Sequence, residues 1–484
     1  MKILCRLLVA ATVIGMAACG SSNSSTVTGV QVGCSPTAIQ SSQQIQCFTI
    51  VTGTGTFAMT VTWKANAGTI DSSGIFTAPV VTVPTLVTIT ATSTQNTSES
   101  AIAGIVINPV NLQPLTVDAG PQPQTFTAIN EAFINVTVCV PNTTTCQTVD
   151  HVLVDTASSG LRLLSSVLTI PLPQQNDSAG NPLDECAVSL DGYVWGPVAL
   201  ADVLITGEKA PSAAVQVVIA DSASPPVPSS CSSQSVGPNK GNSVSALRAN
   251  GVIGLGMFQH DCGAACAPGG GTVPPVYYDC PASGCNPISV ALAQQVPNPV
   301  TLFSPDNNGI MIFLPSVPAG GTSTISGSLI FGIGTQSNNK LQAATVYTVP
   351  DTGPNAGDIT TTFNGVSYPA SFIDSGSSGI FFLDSATTGI PTCAGANSQY
   401  YCPTPSPDLL SATNQGANGS SGIVNFSIEN ADQILSTGNT AFSTLGGPRT
   451  GSFDWGLSFF YGKVVFFAIE NMNTPGGPGP YVAY

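Results

Sequence analysis

The chain reads HVLVDTASSGLRLL at residues 151–164, and a near echo, SFIDSGSSGIFFLD, occupies residues 371–384. Each copy is an apolar run ending in an aspartate, then a turn of small residues, then a second apolar run. A buried, unpaired carboxylate at the end of a hydrophobic strand is costly, so it must be neutralised, paired or heavily hydrogen-bonded. Two such aspartates relieve each other if their loops meet, because like charges in contact cannot both ionise and the pair then shares one proton. Asp155 and Asp374 would then supply one acid and one base from identical side chains, a combination suited to activating a water.

The residues after each aspartate suit that use. Thr156 and Ser375 carry hydroxyls able to reach the opposite loop's backbone and lock the two turns together. Ser158 and Ser377 can donate to their own aspartates and orient them. Gly376 and the small Ala157 allow close approach of the loops, and Gly160 and Gly379 end the turns.

Composition points to an exported β protein. Only 7% of the 484 residues are charged, while Gly and Pro number 50 and 38. Such a mix, rich in uncharged polar residues, suits all-β domains with many turns. The net charge of −15 reflects a scarcity of bases, ten in all, two of them at Lys2 and Arg6. With no basic patch or interleaved aromatics, nucleic-acid binding is not expected.

Lys2 and Arg6 precede a short apolar run that closes in GMAAC at residues 15–19. The pattern is that of an export signal, and its end is similar to the bacterial lipobox, which makes Cys19 the expected lipidated first residue of the mature chain. An ordinary cleaved signal with an incidental Cys is the alternative. Residues 1–18 are thus read as a signal peptide and 19–26 as a flexible tether. Setting aside Cys5 and Cys19 leaves twelve of the fourteen cysteines. Close neighbours such as Cys139/Cys146, Cys262/Cys266, Cys280/Cys285 and Cys393/Cys402 read as short-loop disulfides of an oxidising compartment. A four-Cys zinc site at Cys262, Cys266, Cys280 and Cys285 is the competing reading.

Residues 27–108 alternate apolar and polar in short runs. The stretch VTWKANAGTIDSSGIFTAPVVTVPTLVTITATS resembles bacterial Ig-like domains, which implies a small β-sandwich with Trp63 as core aromatic and Cys34–Cys47 as a staple. A Pro-rich linker is expected at 109–124. One helix is expected over NPISVALAQQV, residues 286–296.

DTASSG and DSGSSG, each behind an apolar strand, resemble the paired signatures of the pepsin-like aspartic peptidases. The likeness extends over residues 125–484. AFINVTVCV and CQTVDHVLVDT look like the family's opening hairpin. NNGIMIFLP and SGSLIFGIGTQSNNKL look like the paired strands that open its second lobe. NGVIGLGMF and FDWGLSFFYGKVVFFAIEN look like the turns beneath each aspartate loop, with Gly254 and Gly456 as the supporting glycines. The resemblance implies an all-β, bilobal double barrel with lobes at about 125–300 and 301–484 and the active site between them. It further implies catalytic Asp155 and Asp374, a polypeptide substrate, an acidic optimum and no cofactor or metal. The family closes a hairpin flap over its substrate, and VSLDGYVWGPVALADVLITG stands at the right place in the order. Tyr193 is then the flap tyrosine and Trp195 a pocket residue, the alternative being ordinary core or edge aromatics.

Three features depart from the family pattern: Ala157 where Gly is usual, Asp454 where an apolar residue is usual, and the Cys/Gly-rich insertion from Cys262 to Cys285. A serine hydrolase would need a histidine, and of the two present His151 sits within a strand, read as packed or edge-exposed. Two functions remain in view: an exported, lipid-anchored aspartic endopeptidase, or a pepsin-like surface module that binds without cleaving.

Overall fold

The computed structural model describes residues 25–123, 126–189, 192–220, 222–234, 241–270 and 276–484. The signal peptide, Cys19 and the tether up to Ser24 lie outside the described residues, as does the tip of the expected flap at 190–191. Strands dominate, and among the described residues no helix exceeds five residues. The chain divides into two compact units, 1–109 and 110–484.

The first unit holds two four-stranded sheets. Alternation of apolar and polar residues gives each sheet one inward face, and Ile45, Phe76, Val87, Ile89, Ile105 and Ile107 fill the space between them. Trp63, expected in the core, is only half-buried, and Phe76 is the fully buried aromatic. Cys34 and Cys47 form a disulfide across adjacent strands of one sheet, facing each other in register.

In the second unit six strands close into a barrel. In order around it run Tyr193–Ile205, Glu208–Val218, Ser159–Leu164, Gly251–Leu255, Cys146–Asp155 and Ala132–Cys139. The last returns to the first through Thr137–Cys139 and Asp202–Leu204. Its lining is aliphatic, including Val136, Val152, Leu161, Ala201, Val203 and Ile253. A seven-stranded sheet built from residues between Ile359 and Trp455 forms the second lobe.

The two lobes share one local topology. Cys146–Asp155 runs parallel to Gly251–Leu255, which pairs antiparallel with Ser159–Leu164. Likewise Val366–Ile373 runs parallel to Arg449–Trp455, which pairs antiparallel with Ile380–Leu383. In both lobes the strand after the aspartate loop also has a parallel partner, Glu208–Val218 in one and Gly446–Gly447 in the other. The all-β, two-lobed arrangement expected of the pepsin-like fold is therefore present.

Three expectations need correction. Leu112–Val117, inside the expected linker, is a strand that pairs with both Ala132–Phe133 and Ile325–Ile330. Pro114 is exposed and sits where the strand has a ladder partner on one side only, Ser328, an edge-like setting in which proline is tolerated. The strands Gly309–Leu314, Ile325–Phe331 and Lys463–Ala468 pair in one sheet that continues from the barrel through Leu112–Val117, so the division at 300/301 does not separate the lobes cleanly. The expected helix at 286–296 is a strand, Asn286–Ile288, followed by a single 3₁₀ turn, Leu292–Gln294. Gln295, buried within that stretch, bonds Gly263 and Val290, which holds the segment extended against its neighbours.

Candidate active site

Asp155 ends its strand beside Gly254, and Asp374 follows Ile373 with its N–H donating to Trp455 O at 3.1 Å. The apolar runs HVLV and SFI enter between neighbouring strands, so each carboxyl emerges at the end of a buried strand. A methyl group at Gly254 would stand 2.5 Å from Ser159 N, and one at Gly456 2.1 Å from Gly379 O. The strands beneath can therefore approach the aspartate loops so closely only as glycine.

The two loops meet. Ser375 N–H donates to Thr156 Oγ1 at 2.9 Å, and Ser375 Oγ donates to Val154 O at 2.7 Å. Asp155 accepts from Ala157 N at 2.8 Å and from Ser158 Oγ at 2.5 Å. Asp374 accepts in the same pattern from Gly376 N at 2.7 Å and from Ser377 Oγ at 2.9 Å. The carboxyl oxygens Asp155 Oδ1 and Asp374 Oδ1 both lie within 3.1 Å of the point where a Gly376 Cβ would sit. Ala157 is exposed and its backbone lies outside the left-handed region, so the methyl there carries no positive-φ strain.

Burial, the Asp155 carboxyl and the Asp454 carboxyl, in that order, push the Asp374 pKa well above the ordinary carboxylate value. Asp374 is thereby held protonated at pH values where a free aspartate would be ionised. Asp454, the residue that departs from the family pattern, is buried, and Ser377 Oγ lies 2.7 Å from its Oδ2.

Both carboxyls open into a cleft of about 1450 Å³ lined from both lobes. Tyr193 lines it, whereas Trp195 does not. The indole of Trp195 is buried against Tyr278 and donates to Pro225 O at 3.0 Å, a packing role that corrects its expected place in the pocket.

The Cys/Gly-rich insertion contributes to this wall. Its strand Tyr277–Asp279 pairs with Leu183–Val188, the first strand of the hairpin that carries Tyr193. Arg162, on the strand after the Asp155 loop, donates to Glu185 Oε1 at 2.6 Å and lies 3.7 Å from Asp261; Tyr277 OH donates to Asp261 Oδ1 at 2.7 Å. This buried network was missed in the sequence, where Arg162, Glu185 and Asp261 stand far apart with no motif linking them. The cysteines of the supposed zinc site are paired as Cys262–Cys266 and Cys280–Cys285, and a further disulfide, Cys186–Cys231, holds the hairpin. The six disulfides among the described residues fit a protein exported to an oxidising compartment. His151 is half-exposed, pairs with Asp150 and Asp118, and packs edge-on to Phe133.

A family model described as a protein of unknown function (DUF3443) matches residues 108–484. The chain belongs to this family. The match covers the second unit, cleft included, and begins just ahead of the Leu112–Val117 strand. No curated protein matches the sequence. Among solved structures, the chain is similar to the aspartic proteinase from Irpex lacteus, at 15% identity over 76% of this chain and 96% of that one, with a TM-score of 0.44.

Proposed function

We propose that the protein is an exported aspartic-type endopeptidase in which Asp155 and Asp374 activate a water between them. One observation carries the reading: two carboxyls on loops of matching topology converge on one point in a cleft, where burial and the neighbouring carboxyl push the pKa of Asp374 upward. Asp155 is less buried than Asp374, and the bonds it accepts from Ala157 N and Ser158 Oγ aim its carboxyl at the shared point. It takes a proton from the water while the water oxygen bonds to the scissile carbonyl carbon. Asp374 gives its proton to the carbonyl oxygen. Collapse of the tetrahedral intermediate breaks the C–N bond: the proton taken from water passes from Asp155 to the leaving nitrogen, and one hydroxyl of the intermediate returns its proton to Asp374 as the carboxyl product forms. Thr156 and Ser375 lock the loops, Ser158 and Ser377 orient the carboxyls, and Tyr193 covers the substrate from the hairpin.

Asp454 favours a second reading, a cleft that binds a polypeptide without cleaving it, because a third carboxyl beside Asp374 alters the charge on the pair. Cys19 as a lipid anchor, the cell envelope as location and the first unit as an Ig-like spacer complete the proposal. These rest on the sequence of residues 1–26 and on the resemblance of residues 27–108.

The test incubates the purified full chain with unfolded casein from about pH 3 to about pH 7. Cleavage that is blocked by a transition-state analogue with a central hydroxyl, and lost in Asp155→Asn and Asp374→Asn, supports the peptidase. Cleavage surviving either substitution rules out the mechanism. Absence of cleavage by the wild type throughout, with casein still bound, favours the second reading. Incorporation of labelled fatty acid that disappears in Cys19→Ala would support the anchor.

A further inference from the structure

Beyond Arg6 the chain holds three arginines, Arg162, Arg248 and Arg449, and all three line the cleft. None of the described lysines does. Arg162 is buried and held by Glu185 and Asp261, so it braces the wall. The other two stand on opposite lobes and have a different setting.

Arg449 is fixed on two sides. Its Nε donates to Ser452 Oγ at 2.7 Å, and its guanidinium carbon lies 4.9 Å from the centre of the Phe372 ring, a cation–π contact. Neither contact uses Nη1 or Nη2, and among the described residues no carboxylate stands at ion-pair distance from the guanidinium. Its charge acts on Asp358, which faces the same cleft, yet burial pushes that carboxyl up to about 6. The other titratable groups around this part of the cleft are Asp155, Asp374, Asp454 and Tyr400.

Arg248 repeats the arrangement on the first lobe. Its side chain is 44% exposed, and Nη1 lies 3.6 Å from Glu131 Oε1. Burial pushes the Glu131 carboxyl up to about 8 against that attraction. At about pH 5, Asp358 and Glu131 are therefore uncharged, whereas Asp and Glu side chains of an unfolded polypeptide, with pKa values of about 4, are ionised. A guanidinium presents paired N–H donors that match a carboxylate, and such charge-assisted bonds are stronger than neutral ones.

We propose that Arg248 and Arg449 are specificity-determining residues that take carboxylates of the substrate, so that the cleft selects acidic segments of polypeptide. A chain lying across both lobes meets one guanidinium on each wall. Arg449, already held by Ser452 and Phe372, loses little side-chain freedom when it binds. The proposal rests on the peptidase reading for cleavage, but its preference in binding stands without turnover.

Two measurements on the full chain at about pH 5 test it. In the first, a rhodamine-labelled peptide of alternating Glu and Ala, and its counterpart with Gln in place of Glu, are titrated and followed by fluorescence anisotropy. The Glu peptide should bind about tenfold more tightly, as expected for hydrogen bonds to a charged group. Arg248→Gln and Arg449→Gln should each shrink that ratio, and Arg449→Lys should keep part of it. Equal affinities for the two peptides in wild type, or a ratio unmoved in both Gln variants, would overturn the proposal. The second digests a peptide library of mixed sequence and reads the cut sites by mass spectrometry. Asp and Glu should be enriched around the cuts, and Arg449→Glu should exchange part of that enrichment for Lys and Arg, an inversion that misfolding cannot produce. Cuts without acidic enrichment in wild type overturn the proposal and leave the peptidase standing. A wild type that prefers the Glu peptide in binding but cuts nothing overturns only the peptidase reading.

Discussion

Arg162 Nη2 donates to Glu185 Oε1 at 2.6 Å, joining the strand that follows the Asp155 loop to the hairpin that carries Tyr193. Both side chains are nearly or fully buried, and Asp261 and Tyr277 from the insertion complete the contact. The insertion is thus a brace on the wall of the cleft. Breaking a buried pair by removing one partner leaves an uncompensated charge, which typically costs about 3–5 kcal/mol. Arg162→Met should lower the denaturant midpoint of the second unit accordingly, and Arg162→Met combined with Glu185→Gln should recover part of the loss. Equal midpoints for wild type and the single variant would show that the pair contributes nothing.

Among the described residues the Cys186–Cys231 disulfide closes the longest stretch of chain, with a separation of 45 residues, and anchors the same hairpin. Removing it by Cys186→Ser with Cys231→Ser should cost about 2–4 kcal/mol. It should also make the segment around Tyr193 the first site of nicking in limited proteolysis, read by mass spectrometry of the fragments.

Thr156 Oγ1 is the acceptor for Ser375 N–H in the contact between the loops. Thr156→Val keeps the shape but orphans a buried donor, a loss of about 1–3 kcal/mol. Ser375→Ala removes the bond to Val154 O and should cost less, because the apolar replacement leaves only a carbonyl oxygen short of one partner. Equilibrium denaturation of the two variants gives the ranking directly.

Glu131, on the cleft wall, is pushed by burial up to about 8 from its ordinary value of 4.5, against the opposing pull of Arg248 3.6 Å away. A carboxyl whose folded pKa is raised contributes its stability fully below the unfolded value and loses it as pH climbs to the folded one. Between 4.5 and about 8 the native state should therefore lose up to about 1.4 kcal/mol per pH unit from this group. Glu131→Gln should remove that slope, leaving the thermal midpoint little changed in acid and raised at neutral pH. A variant with the same slope as wild type would mean that Glu131 ionises freely in the fold.

Much of this was legible locally. Asp155 and Asp374 announce themselves by an apolar run, a carboxylate and a small-residue turn, repeated. Four near-neighbour disulfides follow from spacing, and strand character from alternation of apolar and polar residues. The helix expected at 286–296 failed because its apolar spacing is equally served by a short strand and a single turn, which Gln295 holds against the insertion. The linker failed because Pro-rich composition says nothing about two strands, one shortly after it and one far along the chain, that accept Leu112–Val117 between them.

By itself the sequence determined which residues face inward along each strand and which small residues permit two aspartate loops to come close, since these depend on neighbours one to four positions away. Only the tertiary structure decided that Trp195 packs instead of lining the cleft, that Arg162 meets Glu185, and that Asp454 reaches Ser377. The physical reason is that burial and charge partners are set by strand register across long separations. A carboxyl that looks misplaced in one dimension acquires its partner, and its proton, only when another strand is laid beside it.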